Sequence, residues 1–106
     1  MTRPLNDAER LAETLAIVCE AFGVPLETLR AKTRRQEFSD PRLAFYHAAR
    51  HVLRFHPSHV SRWFEARTRG AVIHGAKRAS GLLETDPLFR SRVDWVVEQL
   101  KQRGIV

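Results

Sequence analysis

Cysteine is nearly absent from this sequence, and so is every common catalytic signature. Cys19 is the single cysteine, which rules out an internal disulfide and a zinc site built on cysteine. Its place on an apolar helical stripe predicts a reduced core thiol. No apolar run approaches the roughly 18–20 residues that a membrane span needs, and the start, MTRPLNDAER, has no apolar stretch of the kind that a secretory signal carries. Phosphate-loop (GxxxxGK[ST]), dinucleotide (GxGxxG), nucleophile-elbow (GxSxG) and zinc-protease (HExxH) motifs are all missing. The acidic residues are scattered over helix starts and exposed faces, so no carboxylate pair suggests acid–base catalysis. The expectation is a protein that is not an enzyme and uses no cofactor. Strand-like alternation, internal repeats and low-complexity tracts are missing too.

What the chain has is arginine, and it is sorted along the sequence. Residues 1–30 carry three basic and five acidic side chains, net −2; residues 31–80 carry eleven basic and three acidic, net +8; residues 81–106 balance at four each. All five histidines fall in the middle segment, and fifteen of the eighteen cations are arginine. A uniformly solvated surface has no reason to segregate charge in this way. A polyanion does, because a basic patch binds it by releasing condensed counterions. Arginine's planar fork further favours bidentate recognition of phosphate or guanine. No basic amphipathic helix with a bulky apolar face stands apart, so a membrane surface is not the expected partner.

The hydrophobic pattern is helical throughout. Asn6 or Asp7 caps a first helix with Leu11, Leu15, Val18 and Phe22 inward, and Gly23 ends it. Pro25 opens a short helix with Leu26 and Leu29 inward, and TRRQEFS reads as a basic loop. Asp40–Pro41 is a start signal for a helix carrying Leu43, Phe45, Tyr46, Ala49, Val52 and Leu53, which fades near His56–Pro57. Ser58 caps or begins a short helix with Val60, Trp63 and Phe64 inward. Thr68 caps a longer one with the stripe Val72, Ala76, Ala79 and Leu83. Asp86–Pro87 opens a last helix with Phe89, Val93, Val96 and Leu100 inward and Gly104 beyond its end. The fold class is all-α: a compact bundle of about six helices, one domain over residues 1–106.

The break between Phe64 and Thr68 has the one-dimensional form of a helix-turn-helix. That frame draws three basic groups together. They are Lys32, Arg34 and Arg35 in the loop with Arg42 after it; Arg50 and Arg54 a turn apart; and Arg67 and Arg69 at the start of the second helix with Lys77 and Arg78 further along. In a helix-turn-helix the first residues of the second helix meet base edges while flanking elements grip the backbone. His47 and His51 stand four apart, with His56 and His59 beyond; without a cysteine or a fourth defined ligand the expectation is a surface histidine group and no metal site. His74 is either a partly buried polar residue or a phosphate donor.

VCEAFGVPLETLRAKTRR, then PRLAFYHAAR, then the short helix ending in Phe64, then RxxxxVIH together resemble the C-terminal helix-turn-helix DNA-binding domain (domain IV) of the bacterial replication initiator DnaA, in the Trp-repressor-like group. The resemblance covers about residues 14–100. It implies that Arg34 enters the minor groove beside Lys32 and Arg35. It also implies that Arg42, after Pro41, faces the DNA backbone, and that Arg67, Val72 and His74 frame the recognition helix. Where the family usually carries Gly-Gly-Arg-Asp-His-[Ser/Thr]-Thr-Val, this chain has Glu65-Ala66-Arg67-Thr68-Arg69-Gly70-Ala71-Val72. Thr68 still caps, Arg69 offers a bidentate contact to guanine, and Gly70 and Ala71 offer no hydrogen bond, though an alanine methyl can touch a thymine methyl.

The expected function is therefore a small duplex-DNA-binding protein whose sequence specificity is altered or reduced relative to that family, in replication or transcription regulation. With 106 residues there is no room for an ATPase domain, so a free-standing version of one domain is expected, in a bacterial cytoplasm and associated with the nucleoid. The alternative is a protein-interaction module derived from a DNA-binding domain, which modulates the initiator or its regulators.

Overall fold

The computed structural model describes residues 4–30, 36–62 and 68–106, and only the backbone at residues 28, 30 and 36–38. Among the described residues six α-helices follow in order: α1 Asp7–Phe22, α2 Leu26–Arg30, α3 Gln36–His47, α4 Pro57–Ser61, α5 Arg69–Thr85 and α6 Pro87–Gln102, with a π-helical turn at Ala48–Val52 running on from α3. Among the described residues there is no strand, and no helix is long and apolar enough to cross a membrane.

Local chemistry sets most of the boundaries. Asn6 caps α1 through a reciprocal pair: its Oδ1 accepts from the Glu9 amide at 2.8 Å, and a Glu9 carboxylate oxygen accepts from the Asn6 amide at 3.2 Å. Gly23 ends that helix at φ 66°, the left-handed conformation that glycine adopts without a Cβ clash. Asp86 starts α6, its Oδ1 accepting from the amides of Leu88 and Phe89 at 3.1 Å each, with Pro87 in the first turn.

Leu11, Leu15, Ile17 and Val18 of α1, Phe45, Ala48 and Ala49 of the α3 region, Val60, Val72 and Ala79, and Phe89, Val96 and Leu100 of α6 form one core at 2% exposure or less. α3 packs most extensively against α5, and α1 against α6. Leu29 is fully buried, whereas its expected companion Leu26 is 40% exposed. Cys19 lies in the core as a free thiol. Burial first and the nearby Glu27 second push that thiol above its ordinary value, so it is held away from the reactive thiolate.

Three boundaries differ from the sequence reading. α3 begins at Gln36, so Pro41 lies inside it and does not open it. The proline removes one i→i−4 bond, to the Glu37 carbonyl, and the interruption follows only one short first turn. After His47 the helix widens: the Leu53 amide donates to the Ala48 carbonyl at 2.9 Å, five residues back, and the Phe55 amide to Ala49 at 2.9 Å, six back. Arg54 closes this end at φ 66°, the one described residue other than glycine in the left-handed region, a conformation that costs an L-residue about 1–2 kcal/mol. The cap of α4 is His56, whose Nδ1 accepts from the Ser58 amide at 3.2 Å, so Ser58 lies within the helix that it was expected to cap or begin.

Candidate nucleic-acid interface

α5 has two faces with opposite chemistry. Inward, Val72, Gly75, Ala76 and Ala79 are buried. Gly75 is a point of close approach: a Cβ there would run into Tyr46 Cδ2 and stand 2.9 Å from Tyr46 Cε2, so the helix backbone rests directly on the Tyr46 ring of α3. Outward, the i, i+4 geometry of a helix makes two adjacent rows: Arg69, Ile73 and Lys77, and Gly70, His74 and Arg78. All six are exposed. Arg69, Lys77 and Arg78 form no ion pair or hydrogen bond among the described residues. Between Asp40 and Glu84 the sequence has one acidic residue, Glu65, so the stretch of chain that carries this face is strongly basic.

The start of this face is held by Thr68. Its Oγ1 accepts from the Ala71 amide at 3.2 Å, which satisfies one of the free amides of the first turn and sets Arg69, Gly70 and Ala71 as the first three helical residues. The hydroxyl keeps its proton to donate outward. Lys77 and Arg78 stand roughly 14 Å along the axis from this cap at 1.5 Å per residue.

The remaining expected residues divide. Lys32, Arg34, Arg35 and Arg67, with Trp63, Phe64 and the Glu65–Ala66 turn, lie outside the described residues. Arg42 does not stand on the outward surface: its side chain is 5% exposed, and its Nε donates to the Leu29 carbonyl at 2.9 Å. Because α3 starts at Gln36, Arg42 falls in its second turn and points at the C-terminal end of α2, where exposed carbonyls and the helix dipole favour a cation. Arg50 is half-buried in the π-turn. Arg54 lies beyond that turn in the left-handed conformation, so the two do not share a helical face.

The histidines divide as well. His74 is exposed, so the partly buried reading does not hold. His51 is also exposed, but His47 departs from the expected surface group. It lines an open groove of about 410 Å³ between α5 and α6, with Ser80, Leu83, Glu84, Arg90 and Val93 among the other walls. Its Nδ1 is buried with no hydrogen-bond partner among the described residues. Burial first, then the neighbouring His51 ring 5.5 Å away, lowers the His47 pKa below its ordinary value. No group of three ligands suited to a metal occurs among the described residues. The half-burial of His47 had no sequence signal, since its polar neighbour His51 continues the same helix outward.

The chain matches the model of the bacterial dnaA protein helix-turn-helix over residues 12–79. It is similar to the chromosomal replication initiator protein DnaA of Bacteroides thetaiotaomicron, 24% identical over 97 residues that cover 92% of this chain and 21% of that protein. The DnaA of Bacteroides fragilis is 24% identical over 98 residues, again 92% of this chain and 21% of the relative. That of Methylacidiphilum infernorum is 26% identical over 83 residues, 78% and 18%. The chain thus spans about a fifth of the length of these relatives. No solved structure matches it significantly. With a Thr68-capped helix laid across α3, a preceding short α4, and a family match over most of the chain, this protein belongs to the bacterial DnaA helix-turn-helix family.

Proposed function

We propose that this protein binds duplex DNA, with α5 as the helix that enters the major groove and with a base preference different from that of the initiator family. The observation that carries this reading is the outward face of α5, where Arg69, His74, Lys77 and Arg78 stand exposed on a helix whose opposite face is fixed to α3. Arg69, the first helical residue, is placed where such a helix meets base edges, and its fork suits the O6 and N7 of guanine. Lys77 and Arg78 serve the phosphate backbone, and Arg50 a more distant phosphate. Lys32, Arg34, Arg35 and Arg67 add further positive charge for the DNA backbone. With Gly70 and Ala71 in place of hydrogen-bonding residues, the family's own recognition set is not reproduced. The reading places the protein in the bacterial cytoplasm, on the chromosome, in control of replication or transcription.

Affinity for a random-sequence duplex, followed by fluorescence anisotropy between 50 and 200 mM salt, tests this directly. Five neutralised phosphates give a log–log slope of about −4.5. An affinity that stays flat over that range would falsify the DNA-binding reading.

A further inference from the structure

The outward face of α5 carries one large apolar side chain. Ile73 is 45% exposed, with Arg69 one turn before it and Lys77 one turn after it on the same row. Single exposed apolar residues are ordinary on protein surfaces; the neighbour of this one is not. Gly70, three residues earlier, lies against it on the helix surface. Among the described residues a Cβ at Gly70 would meet only the Thr68 Oγ1, at 3.7 Å, and its backbone is not left-handed. None of those residues therefore asks for glycine there, although glycine in a helix is less favourable than alanine. The result is a notch at Gly70 backed by the branched Ile73 side chain and flanked by two cations.

We propose that Ile73, reached across the notch at Gly70, is a specificity-determining residue that recognises the C5-methyl group of thymine. This rests on the DNA-binding reading above. In the major groove thymine is the base that presents a methyl group, and an apolar side chain recognises it by excluding water from both. Arg69 and Lys77, on either side, hold the helix against the groove while contributing no apolar surface of their own at that point. The missing side chain at residue 70 lets the base edge come up to the isoleucine.

The test compares two forms of one random duplex pool, amplified with thymidine or with deoxyuridine triphosphate, so that only the methyl differs. The protein should bind the thymine pool more tightly, by about fourfold for each methyl it covers. Ile73→Ala, which keeps helix propensity at an exposed site, should bind both pools alike. Gly70→Val, which fills the notch, should lose the thymine preference while still binding DNA. Circular dichroism melts confirm that both variants are folded. Equal affinity of the unaltered protein for the two pools overturns the proposal, and so does a thymine preference that persists in Ile73→Ala. A protein that binds neither pool overturns the DNA-binding reading itself, a separate result.

Discussion

Gly70 and Gly75 are five residues apart on one helix and owe their identity to opposite causes. At Gly75 a methyl group would run into the Tyr46 ring; at Gly70, among the described residues, it would make only an ordinary contact with the Thr68 Oγ1 at 3.7 Å. The first glycine is demanded by how α5 seats on α3, and it sets the depth at which the helix lies in the bundle. The second is not demanded by any contact among the described residues. One helix thus carries a packing face and an outward face, with a glycine on each.

The largest effect should come from breaking the packing face. Gly75→Ala should destabilise the fold by about 1–3 kcal/mol, since an aromatic ring inside a packed core has no free direction in which to yield; urea unfolding measures this as a lower midpoint at unchanged slope. On the other face, Arg69→Ala should leave the unfolding midpoint almost unmoved. In a selection from random duplexes, the motif enriched by the unaltered protein should lose its guanine preference at one position, equivalent to about 1–3 kcal/mol of discrimination. A motif that survives the substitution intact would show that Arg69 reads nothing. Gly70→Ala should raise stability by up to about 1 kcal/mol through helix propensity, the reverse sign to Gly75→Ala.

The smallest effect concerns His47. Its folded pKa is lowered, so as pH falls through the ordinary histidine value of 6.5 the unfolded chain takes up a proton that the folded chain still refuses. Stability contributed by neutral His47 is therefore complete above about pH 6.5 and is lost as pH falls below it toward the lower folded value. His47→Leu should remove this part of the pH dependence of the unfolding midpoint, and the difference between the two proteins isolates it from the other four histidines. Identical pH profiles would show that the group is solvated.

Much of this fold is legible in the sequence because its signals are local. Asn6, Gly23, Thr68 and Asp86–Pro87 each act on an amide or a dihedral within three residues, and each boundary lies where that chemistry puts it. The apolar stripes Val72–Ala76–Ala79 and Phe89–Val93–Val96–Leu100 face inward as their spacing requires. Asp40–Pro41 carries the same start signal as Asp86–Pro87 yet lies inside a helix, because a proline one turn into a helix forfeits only one bond. The π-turn after His47 and the left-handed Arg54 have no short-range signature at all.

The site divides along the same line. Composition and spacing are enough to place a basic, arginine-rich segment at residues 31–80 and an arginine, Arg69, at the start of a Thr68-capped helix. Whether a given cation faces outward is another matter, since it depends on what packs against the far side of its helix. Arg69 and Arg42 are alike in sequence terms, each near a helix start. One is exposed, and the other is buried against α2 with its Nε on a carbonyl. His47 and His51 are likewise one turn apart, and only the first meets α5 and α6. By itself, then, the sequence determined the all-helical class, most caps and the sorting of charge, because propensity, capping and charge act over a few residues. Tertiary structure alone decided which arginines are free, which histidines are half-buried and why Gly75 is a glycine. Those outcomes depend on contacts between helices far apart in the chain, and no local pattern contains them.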